Sequence, residues 1–234
     1  MIYSTCAVAE QENPFKEGDW LIDLAHAFEM FNEKLRLLLL RLNCDTCTIY
    51  VSSNKRDNFR NALADDYKLK RKERRLVTGL IELKQLIIDK LGAIEAHGAE
   101  ADDYCVQHKW KSPEALLVAI DKDVIYQCHG THYNYWKEEY IEVSKEYADY
   151  FKYYQAIVGD TSDNYKGVPG IGSKKVNHFI QVGMSEKELQ EGVLNAFKSK
   201  GLDTDKALQQ IRLADMRQFD LETKEVKLFE FILD

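Results

Sequence analysis

Gly159-Asp160-Thr161-Ser162-Asp163-Asn164-Tyr165-Lys166-Gly167-Val168-Pro169-Gly170-Ile171-Gly172-Ser173-Lys174-Lys175 joins two aspartates to a glycine-rich turn and a pair of lysines. Glycines let a backbone come close to a phosphate, and the free N–H groups at the start of a following helix point toward it. A turn of this kind holds backbone phosphates without reading bases. The spacing does not match the G-x-x-x-x-G-K-S/T loop that cradles nucleotide phosphates. Gly167, Gly170, Gly172, Ser173, Lys174 and Lys175 are the candidate phosphate-binding residues.

Working upstream, two more acidic clusters appear, Glu100-Ala101-Asp102-Asp103 and Asp121-Lys122-Asp123. Crowded carboxylates repel one another and are costly to ionise unless a cation neutralises them. Their hard oxygens suit Mg²⁺ or Mn²⁺, and two such ions can clamp both oxygens of a phosphoryl displacement. Glu100 and Asp103 are three apart and would share a face on the first turn of a helix, where acid also suits the helix dipole. Asp121 and Asp123, two apart, would point the same way on an extended strand end. With Asp160 and Asp163, the candidate metal ligands are Glu100, Asp102, Asp103, Asp121, Asp123, Asp160 and Asp163. No D-x-D-x-D-G loop with a distal glutamate is present, which argues against Ca²⁺ storage.

The rest of the chain reads as alternating helices and strands, the pattern of a parallel α/β sheet. Apolar residues recur at helical spacing over 20–42 and again over 76–91, the second run stopping at Gly92. A helix is expected from Ala101 to Trp110. Cys47–Val51 and Leu116–Ile120 read as buried strands, the second ending at Asp121, and Asp123–Tyr126 reads as a further short strand. Ligands of open α/β sheets gather at strand carboxyl ends, where the acidic clusters fall. Beyond Asp160 the pattern is helical, in pieces near 173–182, 186–199, 204–218 and 224–232. The expected domains are an α/β core over 1–158 and a helical lobe over 159–234.

The 234 residues carry a net charge of −7, but charge is unevenly placed. Lys68-Leu69-Lys70-Arg71-Lys72-Glu73-Arg74-Arg75 is a basic run able to release counterions from a phosphate backbone, or simply a solvated helix face. Five cysteines at 6, 44, 47, 105 and 128 have no framework spacing and are expected reduced. No apolar run approaches the roughly 20 residues a bilayer span needs. A cytosolic protein with no membrane partner is expected.

Taken together, these segments resemble the structure-specific 5′-nuclease superfamily, the flap endonucleases and 5′→3′ exonucleases of bacteriophages and of DNA polymerase I. The resemblance rests on Asn58-Phe59-Arg60 with Tyr67-Lys68 and Arg71, then Glu100-Ala101-Asp102-Asp103, Asp121-Lys122-Asp123, and the segment from Gly159 to Gly172, in family order over about 45–180. It implies a PIN-like core, a mainly parallel sheet flanked by helices, and a C-terminal lobe carrying a helix-three-turn-helix. It also implies two Mg²⁺ or Mn²⁺ ions and a K⁺ at the helix-three-turn-helix. Lys68 and Arg71 would be catalytic. Arg60, Lys70 and Lys72 would join the glycine turn in binding DNA, Arg60 through the turn it supports, with residues 68–90 forming an arch for the 5′ strand. Tyr67 is assigned to packing. The partner would be DNA with a 5′ end, flap or junction, met by a monomer during replication or repair.

Two positions depart from the family pattern. The family opens on a strand ending in Asp-Gly; here Met1–Glu10 reads as the helix that follows it, and Leu21-Ile22-Asp23-Leu24 is placed inside the 20–42 helix. A second family aspartate falls near Ser52 or Ser53, with Asp57 close by but out of spacing. The expectation is therefore either a chain beginning inside the family's domain, or a DNA junction-binding protein with impaired catalysis.

Overall fold

Strands of three to five residues alternate with helices in the computed structural model. The structure describes residues 1–53, 57–69 and 75–232. The chain divides into two compact units, Met1–Asn54 with Arg74–Ala96 and Lys55–Glu73 with His97–Asp234.

In the first unit, helix α1 (Ile2–Ala9) leads into strand β1 (Glu10–Glu12), which pairs antiparallel with β2 (Trp20–Ile22). Asp23 ends β2 and caps α2 (Leu24–Leu42), its carboxylate accepting the His26 N–H at 3.0 Å. The placement of Leu21-Ile22-Asp23-Leu24 inside a helix is thereby corrected. Leu21 and Ile22 pair with Gln11 and Glu10 across a ladder, and the capping aspartate fixes where the helix begins. Strand β3 (Tyr50–Ser52) runs parallel to β4 (Ile94–Ala96), so the chain must cross over between them. The one-turn helix α3 (Arg60–Leu63) and α4 (Leu80–Leu91) lie within that stretch, α4 stopping at Gly92 with φ +66°. Cys6, Ala27, Phe31, Val51, Leu83 and Ile87 form this unit's core.

The second unit contains α3, α5 (Ala101–Lys111), β5 (Leu117–Ala119), α6 (Lys122–Tyr126), β6 (Gly130–Asn134), β7 (Glu139–Val143) and α7 (Lys145–Val158). A 3-10 turn at Val176–His178, α8 (Glu186–Lys198) and α9 (Thr204–Ala214) follow. Strand β6 pairs parallel with β5 and antiparallel with β7. The β6–β7 hairpin, unexpected from the sequence, closes on a turn in which Asn134 Oδ1 accepts the N–H groups of Trp136 and Lys137, both at 3.0 Å. The class is α/β with a helical C-terminal region. The four ladders of the described residues are two parallel and two antiparallel.

Three further expectations change. Asp123–Tyr126 is helix, because the Asp121 carboxylate accepts the Asp123 N–H at 2.9 Å and caps it. Only Val176–His178 is helical within 173–182. Residues 224–232 form no helix, because their backbone groups find partners elsewhere: Phe229 N–H donates to Gln218 Oε1 and Phe229 C=O accepts from Arg212 Nε. The apolar faces of α7, α8 and α9 meet in one core of Tyr153, Ile157, Leu189, Val193, Phe197 and Ile211, closed below by Val168, Val176 and Ile180. Fully burying each large side chain here contributes about 1.5–3 kcal/mol.

Candidate active site

All three acidic clusters lie in the second unit, each at a helix start or a turn. Glu100 is the N-cap of α5 and Asp103 its third residue, joined as a capping box in which the Glu100 N–H donates to Asp103 Oδ2 at 2.9 Å. Asp121 follows β5 as the N-cap of α6. Asp160 and Tyr165 pair across a tight turn, with the Ser162 N–H on Asp160 Oδ1 at 2.6 Å.

Two cations already neutralise part of this charge. Lys68 Nζ reaches both Glu100 oxygens at 2.6 Å and Asp163 Oδ2 at 3.3 Å, and its backbone N–H donates to the Asp163 carbonyl at 3.0 Å. The buried Tyr67 hydroxyl also lies between these carboxylates, 3.3 Å from Glu100 and 3.2 Å from Asp163. Burial alone would raise Glu100, but Lys68, Arg60 and Tyr67 hold it below the usual carboxylate range. Arg60 takes both oxygens of Asp103 at 2.7 Å. Arg60 is 1% exposed and bonded inside the fold. Both oxygens of Asp103 are thereby paired with Arg60.

The other acids lack such partners. Asp102, Asp121, Asp123 and Asp160 make no ion pair with a cation among the described residues. Burial first, and then Glu100, Asp121 and Asp103, push Asp102 up to about 7 against the pull of Lys68. Burial, Asp121 and Asp160 do the same to Asp123, also to about 7. Asp160 feels burial too, yet the hydroxyl and N–H of Ser162 and a hydrogen bond with Asp123 hold it below the usual carboxylate range. Asp123 Oδ1 is buried with no hydrogen-bond partner among the described residues. Tyr165, not anticipated from the sequence, sits buried in the field of Asp123, Asp160 and Asp163; its position inside the acidic turn was the available signal.

This donor set fits a hard divalent cation. It offers only carboxylate oxygens, one of them orphaned, in a cluster that repels itself when ionised. No three Asp, Glu, His or Cys side chains among the described residues are drawn together at coordinating distance.

The glycine turn divides in two. Gly167 is buried, has φ +59°, and gives its N–H to Gln210 Oε1 at 2.8 Å. A Cβ there would lie 2.4 Å from the Ile157 carbonyl oxygen, so this glycine serves the fold and its N–H is not offered to a ligand. Gly170, Gly172, Ser173, Lys174 and Lys175 are exposed, with open space over both glycines. Lys70, Arg71 and Lys72 lie outside the described residues. Of the expected arch segment, the part from Leu80 onward is α4.

No family model matches the chain. It is 29% identical over 202 residues to the flap endonuclease Xni of Shewanella halifaxensis, covering 70% of this chain and 77% of that protein. It is 26% identical over 175 residues to the Xni flap endonuclease of Shewanella piezotolerans, covering 66% and 67%. Among solved structures it resembles the T5 5′-exonuclease with bound zinc ions, with a TM-score of 0.60 at 18% identity, covering 81% of each chain. A bacteriophage T5 flap endonuclease in a pseudo-enzyme-product complex with DNA and metal ions gives a TM-score of 0.60 at 16% identity, covering 83% and 81%. The chain is thus similar in sequence to flap endonucleases over about two thirds of its length, and it shares the fold of the T5 5′-exonuclease.

Proposed function

We propose that the chain hydrolyses DNA phosphodiesters at 5′ ends or 5′ flaps, dependent on Mg²⁺ or Mn²⁺, in replication or repair. The observation that carries this reading is the self-repelling set of Asp102, Asp121, Asp123 and Asp160, with two members pushed to about 7 and one oxygen orphaned. These four residues would hold two divalent ions, which supply an activated water and stabilise the leaving oxygen. Lys68 adds positive charge beside the reacting phosphate, held in place by Glu100 and Asp163. Tyr67, whose phenol burial keeps protonated, steadies the same two carboxylates. The products are a 5′-phosphate and a 3′-hydroxyl, and no covalent enzyme intermediate is needed.

Gly170, Gly172, Ser173, Lys174 and Lys175 would hold duplex phosphates, supported by their exposure and by N–H groups of residues 170 and 172–174 that bond nothing else among the described residues. A K⁺ ion would belong to the same turn, where the Gly170 carbonyl already accepts from Lys175 Nζ at 3.1 Å. The other parts of the proposal are Arg71 beside Lys68 as a catalytic cation, Lys70 and Lys72 in DNA binding, a monomer, and a cytoplasmic setting. No helix among the described residues is long and apolar enough to cross a membrane.

A second reading, junction binding without cleavage, is favoured by Ser52 and Ser53 at the end of β3, hydroxyls where the family carries a carboxylate. Cleavage of a 5′-labelled flap in Mg²⁺, against EDTA and Asp123→Asn, separates the two. Mg²⁺-dependent product lost in the variant supports hydrolysis; tight binding with no product in any condition supports the second reading.

A further inference from the structure

Arg60 forms the hub of a buried network that the catalytic reading does not use. Its Nη1 and Nη2 meet Asp103 at 2.7 Å each, its Nε donates to the Leu213 carbonyl at 2.9 Å, and its Nη2 donates also to the Asp215 carbonyl at 2.9 Å. Leu213 and Asp215 stand at the C-terminal end of α9, where carbonyls have no partner inside the helix and cations are favoured. The neighbouring carbonyl of Ala214 is taken by Gln127 Nε2 at 2.9 Å, and Asp215 also receives Gln218 Nε2 at 2.9 Å. The end of α9 is thus a closed socket, and the guanidinium plugs it while gripping the first turn of α5.

That grip falls between the acids that matter. Asp103 is flanked by Asp102, and it is tied by the capping box to Glu100, the partner of Lys68. Any slide or rotation of this turn would move Asp102 relative to Asp121 and Glu100 relative to Lys68. We infer that Arg60 is a positioning residue of the proposed metal centre: it fixes the α5 N-terminus against the end of α9 and touches neither metal nor DNA. This rests on the metal-dependent reading. Replacing a buried ion pair by apolar groups is often neutral for stability, so stability alone does not account for so heavily bonded a pair.

The test is Arg60→Lys, which keeps the charge but loses the planar fork and so cannot serve two carboxylate oxygens and two carbonyls together. Mn²⁺ affinity would be measured by calorimetry, and flap binding by anisotropy in EDTA. The expected result is a folded variant with Mn²⁺ affinity reduced about 10- to 100-fold, as for other residues that orient metal ligands, and flap binding in EDTA within about twofold of the parent. Unchanged Mn²⁺ affinity overturns the inference, as does lost flap binding with Mn²⁺ affinity intact. Should Arg60→Lys not fold, Arg60→Met combined with Asp103→Leu replaces the pair with apolar groups. Parent-like Mn²⁺ affinity in that variant overturns the inference, and a tenfold loss supports it. A parent chain that binds no Mn²⁺ overturns the functional reading and this inference with it.

Discussion

Replacing Lys68 with methionine removes the cation that sits on Glu100 and Asp163 while keeping the length of the side chain. The side chains of Lys68, Glu100 and Asp163 are 15%, 18% and 15% exposed, so the charges are mostly but not wholly withdrawn from water. Removing one partner of a fully buried pair destabilises by about 3–5 kcal/mol. With this residual exposure screening the pair, about 2 kcal/mol is expected at pH 8 in EDTA. For a chain of this size that lowers Tm by about 4–8 °C. The loss should shrink at pH 4, where Glu100 can take up a proton once Lys68 no longer holds it low. It should also shrink in saturating Mn²⁺, if the divalent ions take over the neutralising role. The assay is thermal unfolding of parent and variant at both pH values, with and without Mn²⁺. An equal Tm loss in EDTA and in Mn²⁺ would refute the argument that Lys68 and the metal neutralise one shared set of carboxylates.

Three other outcomes follow from the geometry. Asp102 and Asp123, at about 7 in the fold against an ordinary 3.8, bind protons more tightly folded than unfolded. Their effect is to lower metal-free stability as pH rises from about 4 to 7, and urea midpoints in EDTA should fall across that window and flatten with Mn²⁺; a rise with pH would count against it. Gly167→Ala, with φ +59° and a Cβ 2.4 Å from a carbonyl oxygen, should cost at least about 3 kcal/mol, whereas Gly170→Ala, strained only by φ +76°, should cost about 1 kcal/mol by chemical denaturation. Replacing Lys174 and Lys175 together by alanine should weaken flap binding uniformly across sequences and reduce the log–log salt slope by about 2; an unchanged slope would remove them from the phosphate contacts.

Much of this was written locally. Ser144, Ser185 and Asp203 start α7, α8 and α9 by accepting N–H groups three residues on, and Gly92 ends α4 in a left-handed conformation. Such signals act over a few residues and survive in sequence. So do the three acidic clusters, because each sits on one helix start or one turn. Where competing local patterns overlapped, the reading failed. Asp123-Val124-Ile125-Tyr126 has strand composition, but the side chain of Asp121 turned it into helix. Leu21 and Ile22 continue the apolar period of α2, yet pair with β1 across a loop.

The sequence by itself determined which residues could bear charge for metal and phosphate, because residue type and spacing are properties of the chain. Only the tertiary structure decided which of those charges are already spoken for. Arg60 and Asp103 lie 43 residues apart and Lys68 and Glu100 32 apart, and no local pattern pairs them. Gly167 is withdrawn from the phosphate turn by Gln210, again 43 residues away. Burial sets the energy of a charge, and burial depends on which distant segments pack together. Asp102 and Asp123 therefore stand apart from the other acids only once the chain has folded around them.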